Sequence, residues 1–254
     1  MIRLEGLSKK FGSFYAVKQL DLHVEKGEVF GFLGPNGAGK TTTMKMLVGL
    51  IRPTAGQVAV DGIDVVADPI RARQIIGYIP DRPYLYEKLT AREFLTFTAG
   101  IYGMDGRAQA QRAAELLELF GLGQWAGELI ETYSHGMKQR LTMAAAILHR
   151  PRLLVVDEPM VGLDPRGAVL VKNLFRRMVA DGQGTVFLST HTLEVAEELC
   201  DRVAILQHGQ VVAQGDLDAI RAQAGEQGGA GLESLFLRLT GGEDVDRSLE
   251  DAGL

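Results

Sequence analysis

The stretch that decides the fold is 29-VFGFLGPNGAGKTT-42, in which an apolar run, Val29–Leu33, leads into a glycine-rich segment, Gly34–Thr42. The apolar run predicts a buried strand, and the segment fits the pattern G-x-x-x-x-G-K-[ST] of a phosphate-binding loop. Glycines allow a tight turn and bring backbone N–H groups close to an anion. Residues from Thr41 onward predict a helix whose N-terminal N–H groups face the same anion. We therefore predict that this stretch binds a nucleoside triphosphate.

The motif also predicts individual roles within the loop. Lys40 is expected to reach the β- and γ-phosphates, and the Thr41 hydroxyl is expected to bind Mg²⁺. The alternative is a glycine-rich turn with an incidental lysine, but the strand, loop and helix all fall where the motif requires them. The predicted nucleotide contacts are the nine residues of the loop: Gly34, Pro35, Asn36, Gly37, Ala38, Gly39, Lys40, Thr41 and Thr42.

The composition excludes several classes of protein. The 254 residues are 46% hydrophobic and 23% charged, which is ordinary for a soluble globular chain. The net charge of −5 argues against a nucleic-acid partner held through its phosphates. The single cysteine, Cys200, cannot form an intramolecular disulfide, and no apolar run reaches the length of a membrane span. We expect a cytoplasmic protein that reaches a membrane only through a partner.

The order of the predicted elements indicates an inserted helical segment. Residues 1–33 and 58–62 predict β-structure, most of it antiparallel, with a turn at 54–57 before the second stretch, and residues 90–150 carry helical signals. Within the helical part, we predict that Ser134 begins a helix whose body is 137–149. Residues 152–158 and 185–189 then predict two further buried strands. The chain after residue 222 predicts a glycine-rich linker, a short helix at 232–239 and an acidic tail.

The first of these two buried strands, 152–158, ends in two acidic residues, Asp157 and Glu158. Ligands gather at the carboxyl ends of strands in parallel sheets, so this pair should lie near the phosphate loop. Asp157 can hold Mg²⁺ there, and Glu158 can polarise an attacking water molecule. His191 ends another buried strand, and its position leaves two readings open: a structural histidine or a contact to the γ-phosphate.

A second anion site is predicted at the start of the helix after Tyr133, where Ser134 and Gly136 stand. A serine at a helix N-terminus beside a glycine can bind an anion. This site is detached from a phosphate loop that is already complete, which suggests that it serves the nucleotide of a second copy in a closed dimer. An ordinary capped helix is the alternative.

Phe11 is likewise open to two readings: a core residue, which its position alone favours, or a platform for a nucleotide base.

Together these motifs resemble the ATPase subunits of ABC transporters, over about residues 1–239. The resemblance implies an α/β fold, with a P-loop NTPase (RecA-like) core, an antiparallel β-subdomain and an inserted α-helical subdomain at about 84–150. By resemblance the ATPase domain is 1–222. Gly34–Thr42 corresponds to Walker A, Leu153–Glu158 to Walker B and Tyr133–Met137 to the signature motif.

The resemblance also implies roles for single residues. Glu158, His191 and Lys40 would be catalytic, and Phe11 would stack on adenine, which reverses the reading from position alone. Thr41 and Asp157 would bind Mg²⁺. Gly162–Asp164 corresponds to the D-loop of the family.

Two positions depart from the family pattern. The signature usually reads L-S-G-G-Q, whereas this chain has Tyr-Ser-His-Gly-Met at 133–137. That form resembles the ATPases paired with ABC-2 type exporter permeases. The loop after Pro80 normally carries a glutamine that contacts Mg²⁺ or water, and Asp81 stands there instead. A carboxylate near a triphosphate adds repulsion unless it approaches the metal ion.

The resemblance leads to a functional expectation. The chain would bind and hydrolyse ATP with Mg²⁺ as a homodimer or with a paired ATPase subunit, on the inner face of the membrane, and would power export through a separate permease. The alternative is a soluble ABC ATPase that acts in assembly or regulation without a permease. A membrane protein that co-purifies with the chain would favour transport, and soluble partners alone would favour the alternative.

Overall fold

A computed structural model describes residues 1–104, 106–223 and 231–240. The described residues form ten strands: β1 (Ile2–Phe11), β2 (Phe14–Val24), β3 (Val29–Leu33), β4 (Ala55–Val60), β5 (Ile63–Asp64), β6 (Ile76–Ile79), β7 (Leu153–Asp157), β8 (Thr185–Thr190), β9 (Arg202–Gln207) and β10 (Gln210–Gly215). They also form nine α-helices: α1 (Lys40–Leu47), α2 (Pro69–Gln74), α3 (Ala91–Ile101), α4 (Gly106–Leu119), α5 (His135–Ile147), α6 (Pro165–Val179), α7 (Leu193–Leu199), α8 (Leu217–Gln223) and α9 (Leu232–Thr240).

The larger sheet has the strand order β10-β9-β3-β8-β7-β6 and is parallel except at the β10 edge. Every residue of its three central strands, β3, β7 and β8, is buried. These strands are continuous apolar runs because helices and the second sheet cover both of their faces. Their carboxyl ends therefore meet at one edge, where the residues that follow each strand lie close together.

The smaller sheet is antiparallel, with the order β2-β1-β4-β5. Its buried residues form one core with α1 and the parallel sheet, in which Leu4, Met44 and Phe32 are completely or almost completely buried. A salt bridge adds to this core. The carboxylate of Asp61, just after β4, lies 2.8 Å from the guanidinium of Arg152, the residue immediately before β7. These contacts hold the antiparallel sheet against the parallel sheet, next to β7, the strand that ends at Asp157.

The segment between β6 and β7 is helical and shares a core with the other face of the parallel sheet. Thr90 caps α3 through a capping box with Glu93, which satisfies free N–H groups at the helix start. Ser134 caps α5, and Asp164 followed by Pro165 starts α6. The α/β fold predicted from the sequence, with its antiparallel sheet and helical segment, is confirmed.

Several boundaries differ from the prediction. The helix after Ser134 spans His135–Ile147 rather than 137–149, because capping by Ser134 lets it start at the next residue. Helix α1 begins at Lys40, and the predicted turn at 54–57 is largely strand, since Ala55 onward pairs with β1. The predicted helix at 232–239 is confirmed as α9. Most of the predicted linker, 224–230, and the acidic tail, 241–254, lie outside the described residues.

None of the helices within the described ranges is long and apolar enough to cross a lipid bilayer.

Candidate active site

The loop between β3 and α1 has a conformation that needs glycine. Gly34 and Gly39 have φ angles of 157° and 109°. A Cβ atom on Gly34 would lie 2.4 Å from the Leu206 carbonyl oxygen, and one on Gly39 would lie 2.4 Å from that of Ala16. Neighbouring backbone therefore leaves no room for side chains on this side of the loop. The same packing fixes the direction in which the loop leads into α1.

Lys40 is buried at the start of α1 and bends back over the loop. Its Nζ atom donates hydrogen bonds to the carbonyl oxygens of Gly34 at 2.6 Å and Pro35 at 3.3 Å. Burial lowers the pKa of Lys40 below its ordinary value, while the carboxylates of Glu158 and Asp157 counteract the shift. The ammonium group is thus held by loop carbonyls at the surface of a cavity, where an anion would offset its desolvation.

Asp157 is held by hydroxyl groups on both of its oxygen atoms. Thr41 Oγ1 donates to Oδ2 at 2.9 Å, and Ser189 Oγ donates to Oδ1. Asp157 and Ser189 are partners in the parallel pairing of β7 and β8, so the register of the sheet sets this contact. The arrangement places a carboxylate directly beside the Thr41 hydroxyl at the start of α1.

Glu158 follows β7 in an unusual backbone conformation, with φ of 54°. Its N–H group donates to the Ser189 carbonyl at 3.1 Å, and its Oε1 atom lies 2.9 Å from Nδ1 of His191. Non-glycine residues in this region are strained, and such strain is concentrated at functional sites. The His191 side chain is 60% exposed and that of Glu158 is 15% exposed, so the pair faces an open space.

That open space is a cavity of about 500 Å³ at the carboxyl ends of β3, β7 and β8. It brings together predicted site residues from distant parts of the chain. The lining residues are Phe11, Phe14, Ala16, Pro35, Asn36, Gly37, Gly39, Lys40, Thr41, Thr42, Asp81, Asp157, Glu158, Val161 and His191. Gly34 and Ala38 lie behind this surface, where Gly34 supplies a carbonyl to Lys40 and Ala38 packs in the core.

Phe11 lies at the mouth of this cavity and is 52% exposed, so the reading as a core residue is wrong. The β1–β2 pairing sets Phe11 opposite Phe14, which also lines the cavity. Phe14, Ala16 and Val161 were not selected from the sequence. The position of Phe14 opposite Phe11 across a two-residue turn is the one local signal that could have identified it.

Ser134 and Gly136 do not line the cavity. The Ser134 hydroxyl accepts a hydrogen bond from the Met137 N–H at 3.3 Å, as a helix cap does. The next residue, His135, packs against Gly162: a Cβ atom on Gly162 would lie 2.4 Å from the imidazole Cδ2 atom. Within one chain, therefore, the two predicted anion sites are separate.

The cavity provides groups of the right chemistry for a nucleotide and a magnesium ion. Backbone N–H groups at the start of α1 and the Lys40 ammonium suit phosphate oxygens. Among the described residues there is no group of three or more His, Cys, Asp or Glu residues that could hold a metal ion. The Thr41 hydroxyl and Asp157 nevertheless fit Mg²⁺, which usually takes one or two protein oxygens together with phosphate and water.

Comparison with protein families gives one domain match: the model described as ABC transporter matches residues 17–161. The probable multidrug ABC transporter ATP-binding protein YbhF of Escherichia coli (strain K12) is 39% identical over 256 residues, which cover 98% of this chain but 43% of the relative. The daunorubicin resistance ATP-binding protein DrrA3 of Streptomyces coeruleorubidus is 39% identical over 261 residues, covering 99% of this chain and 82% of the relative.

Solved structures show the same likeness. A structure described as the ATP-binding subunit of an ABC transporter has a TM-score of 0.89 at 36% identity, covering 94% of this chain and 99% of that one. An ATP-binding cassette in a dimeric, post-hydrolysis state with ADP and Pi has a TM-score of 0.78 at 28% identity. It covers 85% of this chain and 99% of that one.

Proposed function

The chain belongs to the ABC transporter family, and from that premise we propose that it is the ATP-binding and ATP-hydrolysing subunit of an exporter, paired with a separate ABC-2 type permease. The observation that carries the proposal is the convergence of Lys40, the Thr41–Asp157 pair and the Glu158–His191 pair on one cavity. Two of the relatives compared above are named for multidrug transport and daunorubicin resistance, which supports export as the work done.

The residues of the cavity divide the chemistry between them. Lys40 and the N–H groups of the loop would bind the β- and γ-phosphates, and Phe11 would stack on the adenine. Thr41 and Asp157 would hold Mg²⁺, which supplies neutralisation of phosphate charge when it is bound. Glu158 would orient the attacking water and accept its proton, while His191 would fix the carboxylate and face the γ-phosphate.

A second copy would complete the site. The Ser134–Gly136 helix start lies outside the cavity of its own chain, which leaves it available to the γ-phosphate held by Lys40 of another copy. The dimeric state of the cassette solved with ADP and Pi supports this pairing. Two subunits would thus close over two ATP molecules, and hydrolysis would reopen the pair. We expect no nucleic-acid partner.

The same proposal gives roles to the other parts of the chain. Residues 1–222 would be the ATPase domain, and the helical segment at about 84–150, together with the Asp81 loop, would pass the closing motion to the permease. The subunit would lie in the cytoplasm, peripherally on the inner face of the membrane. Residues 223–254 would form an appended linker, helix and acidic tail.

The experiment that tests the proposal is purification of the chain from detergent-solubilised membranes, followed by measurement of phosphate release from ATP. We expect one polytopic membrane protein to co-purify in fixed ratio and the complex to hydrolyse ATP. The matched control is Lys40→Ala, which should keep the membrane partner and lose hydrolysis. Recovery with soluble partners alone would contradict the permease, and absence of ATP hydrolysis in the wild-type complex would contradict the activity.

A further inference from the structure

The ring of Phe11 is already covered on one side by a cation. The Nζ atom of Lys9 lies 5.1 Å from the centroid of this ring, within the distance of a cation–π contact. The two residues are separated by one position in β1, so their side chains leave the strand on the same face. Because a ring has two faces, this contact leaves one face of Phe11 for a ligand in the cavity.

Lys9 is itself anchored to the segment that follows the phosphate-loop helix. Its Nζ atom donates a hydrogen bond of 2.7 Å to the carbonyl oxygen of Arg52, five residues after α1 ends. The neighbouring backbone reinforces the link, since the Lys10 N–H donates to Thr54 Oγ1 at 3.0 Å and the Thr54 N–H donates to the Ser8 carbonyl at 2.8 Å. The Phe11 end of β1 is thereby tied to the chain leaving α1.

These contacts give Lys9 a consequence for binding. An exposed phenylalanine at a strand end loses rotamer freedom when a ligand orders it, and that loss weakens binding. A ring already held by an ammonium group on one face has less freedom left to lose. The anchor to Arg52 also fixes where the ring lies relative to the phosphate loop, so that a base and its phosphates can be bound together.

We propose that Lys9 is a positioning residue that holds Phe11 so that the free face of its ring stacks on the base of a bound nucleotide. The inference rests on the proposed function, because it requires that the cavity bind ATP. Lys9 contacts the ring and not the nucleotide. Since every base has a π-face, Lys9 would favour a triphosphate that carries a base over one without, rather than select one base.

The chain contains a matched control one residue away. The Nζ atom of Lys10 lies 5.0 Å from the ring centroid of Tyr15, its cross-strand partner. Tyr15 is not among the residues that line the cavity. Lys10→Met therefore removes the same charge and the same kind of contact from the same strand without touching the proposed platform.

The test is calorimetric titration of ATP and of inorganic tripolyphosphate, which has no base, into the wild-type chain, Lys9→Met, Lys9→Arg and Lys10→Met. We expect Lys9→Met to weaken ATP binding about 3- to 30-fold and to leave tripolyphosphate binding within about twofold. In turnover, its KM for ATP should rise while kcat stays near the wild-type value. Lys9→Arg should restore ATP affinity because a guanidinium also binds over an aromatic ring.

Two results would overturn the inference: equal losses of ATP and tripolyphosphate affinity in Lys9→Met, or equal ATP affinity in Lys9→Met and Lys10→Met. The first result would show that Lys9 acts on the phosphates through its charge and not on the base. The second would show that the contact to Phe11 contributes nothing to ATP affinity. Failure of the proposed function looks different, because the wild-type chain would then bind neither ligand, and the role of Lys9 would fall with it.

Discussion

The Nδ1 atom of His191 lies 2.9 Å from Oε1 of Glu158, and each residue is the first after its strand, β8 or β7. The two strands are neighbours in the parallel sheet, so their register brings the side chains together. The Glu158 N–H bond to the Ser189 carbonyl fixes the backbone that carries the carboxylate. The imidazole thus holds a carboxylate whose position is set by the sheet.

Removal of the imidazole should impair hydrolysis more than binding. For His191→Ala we expect kcat to fall about 100-fold, because the carboxylate that activates water loses the partner that orients it. The dissociation constant for ATP, measured by titration, should change little. The control is His23→Ala, since Nε2 of His23 lies 3.0 Å from a carboxylate oxygen of Glu25 and neither residue lines the cavity. Equal effects of the two substitutions on kcat would contradict the assigned role.

Replacement of Lys40 should remove nucleotide binding. The ammonium group is buried among the loop carbonyls, so Lys40→Ala deletes the cation closest to the expected phosphates. We expect ATP affinity to fall about 100-fold, as for the loss of a strong charge-assisted contact. Lys45→Ala, an exposed position on the same helix, is the control and should bind ATP normally. Retained affinity in Lys40→Ala would exclude this loop as the phosphate site.

Asp81 places a third carboxylate at the cavity, where the family pattern has glutamine. Asp81→Gln removes a negative charge, so ATP measured without Mg²⁺ should bind about two- to fivefold more tightly at low salt. The gain should shrink at about 1 M salt, where the Debye length is roughly 3 Å. Unchanged affinity at low salt would show that Asp81 does not face the phosphates.

His149 predicts how stability depends on pH. Its ring stacks on Tyr102 with centroids 3.7 Å apart, and Nε2 donates to the Ile76 carbonyl at 3.1 Å. Burial lowers the pKa of His149 to about 4, against about 6.5 in an unfolded chain. The unfolded chain therefore binds more protons between these values, and the free energy of unfolding should fall as the pH drops from about 6.5 to 4.

Urea denaturation of the wild-type chain and of His149→Phe measures this contribution. The phenyl ring keeps an aromatic partner for Tyr102 and cannot titrate. We expect the wild-type chain to lose about 1–2 kcal/mol more than the variant between pH 7 and pH 5, after allowance for partial solvent screening. Above pH 7 the difference between the two proteins should be constant. Parallel curves from pH 7 to pH 5 would contradict the pKa shift.

The sequence could predict the parts of the site that local pattern determines. The strand, loop and helix around Lys40 follow from spacing, and the position of Glu158 follows because parallel strands end at one edge. The presence of Val161 in the cavity lining could not be predicted, because no motif marks it. The hydrogen bond of Thr41 to Asp157 joins residues 116 positions apart, and it depends on a strand register that periodicity does not specify.

The exposure of Phe11 also could not be predicted from local pattern. Its apolar character indicated burial, and the resemblance to a family indicated a base platform; the structure leaves it 52% exposed at the cavity. Burial of an aromatic at a strand end depends on what packs over it, and here Lys9 lies over one face of the ring while about half of the residue stays exposed. Helices α2 and α8 were not predicted, since they are short segments of six and seven residues that tertiary packing stabilises.

The central claim is that two copies close over ATP and that Glu158 then drives hydrolysis. Light scattering of purified Glu158→Gln with saturating ATP, together with phosphate release, tests it most directly. We predict that ATP doubles the measured mass and that phosphate release falls at least about 100-fold, while Glu158→Gln combined with Lys40→Ala remains a monomer. Undiminished phosphate release by Glu158→Gln, or a monomer at saturating ATP, would contradict the account.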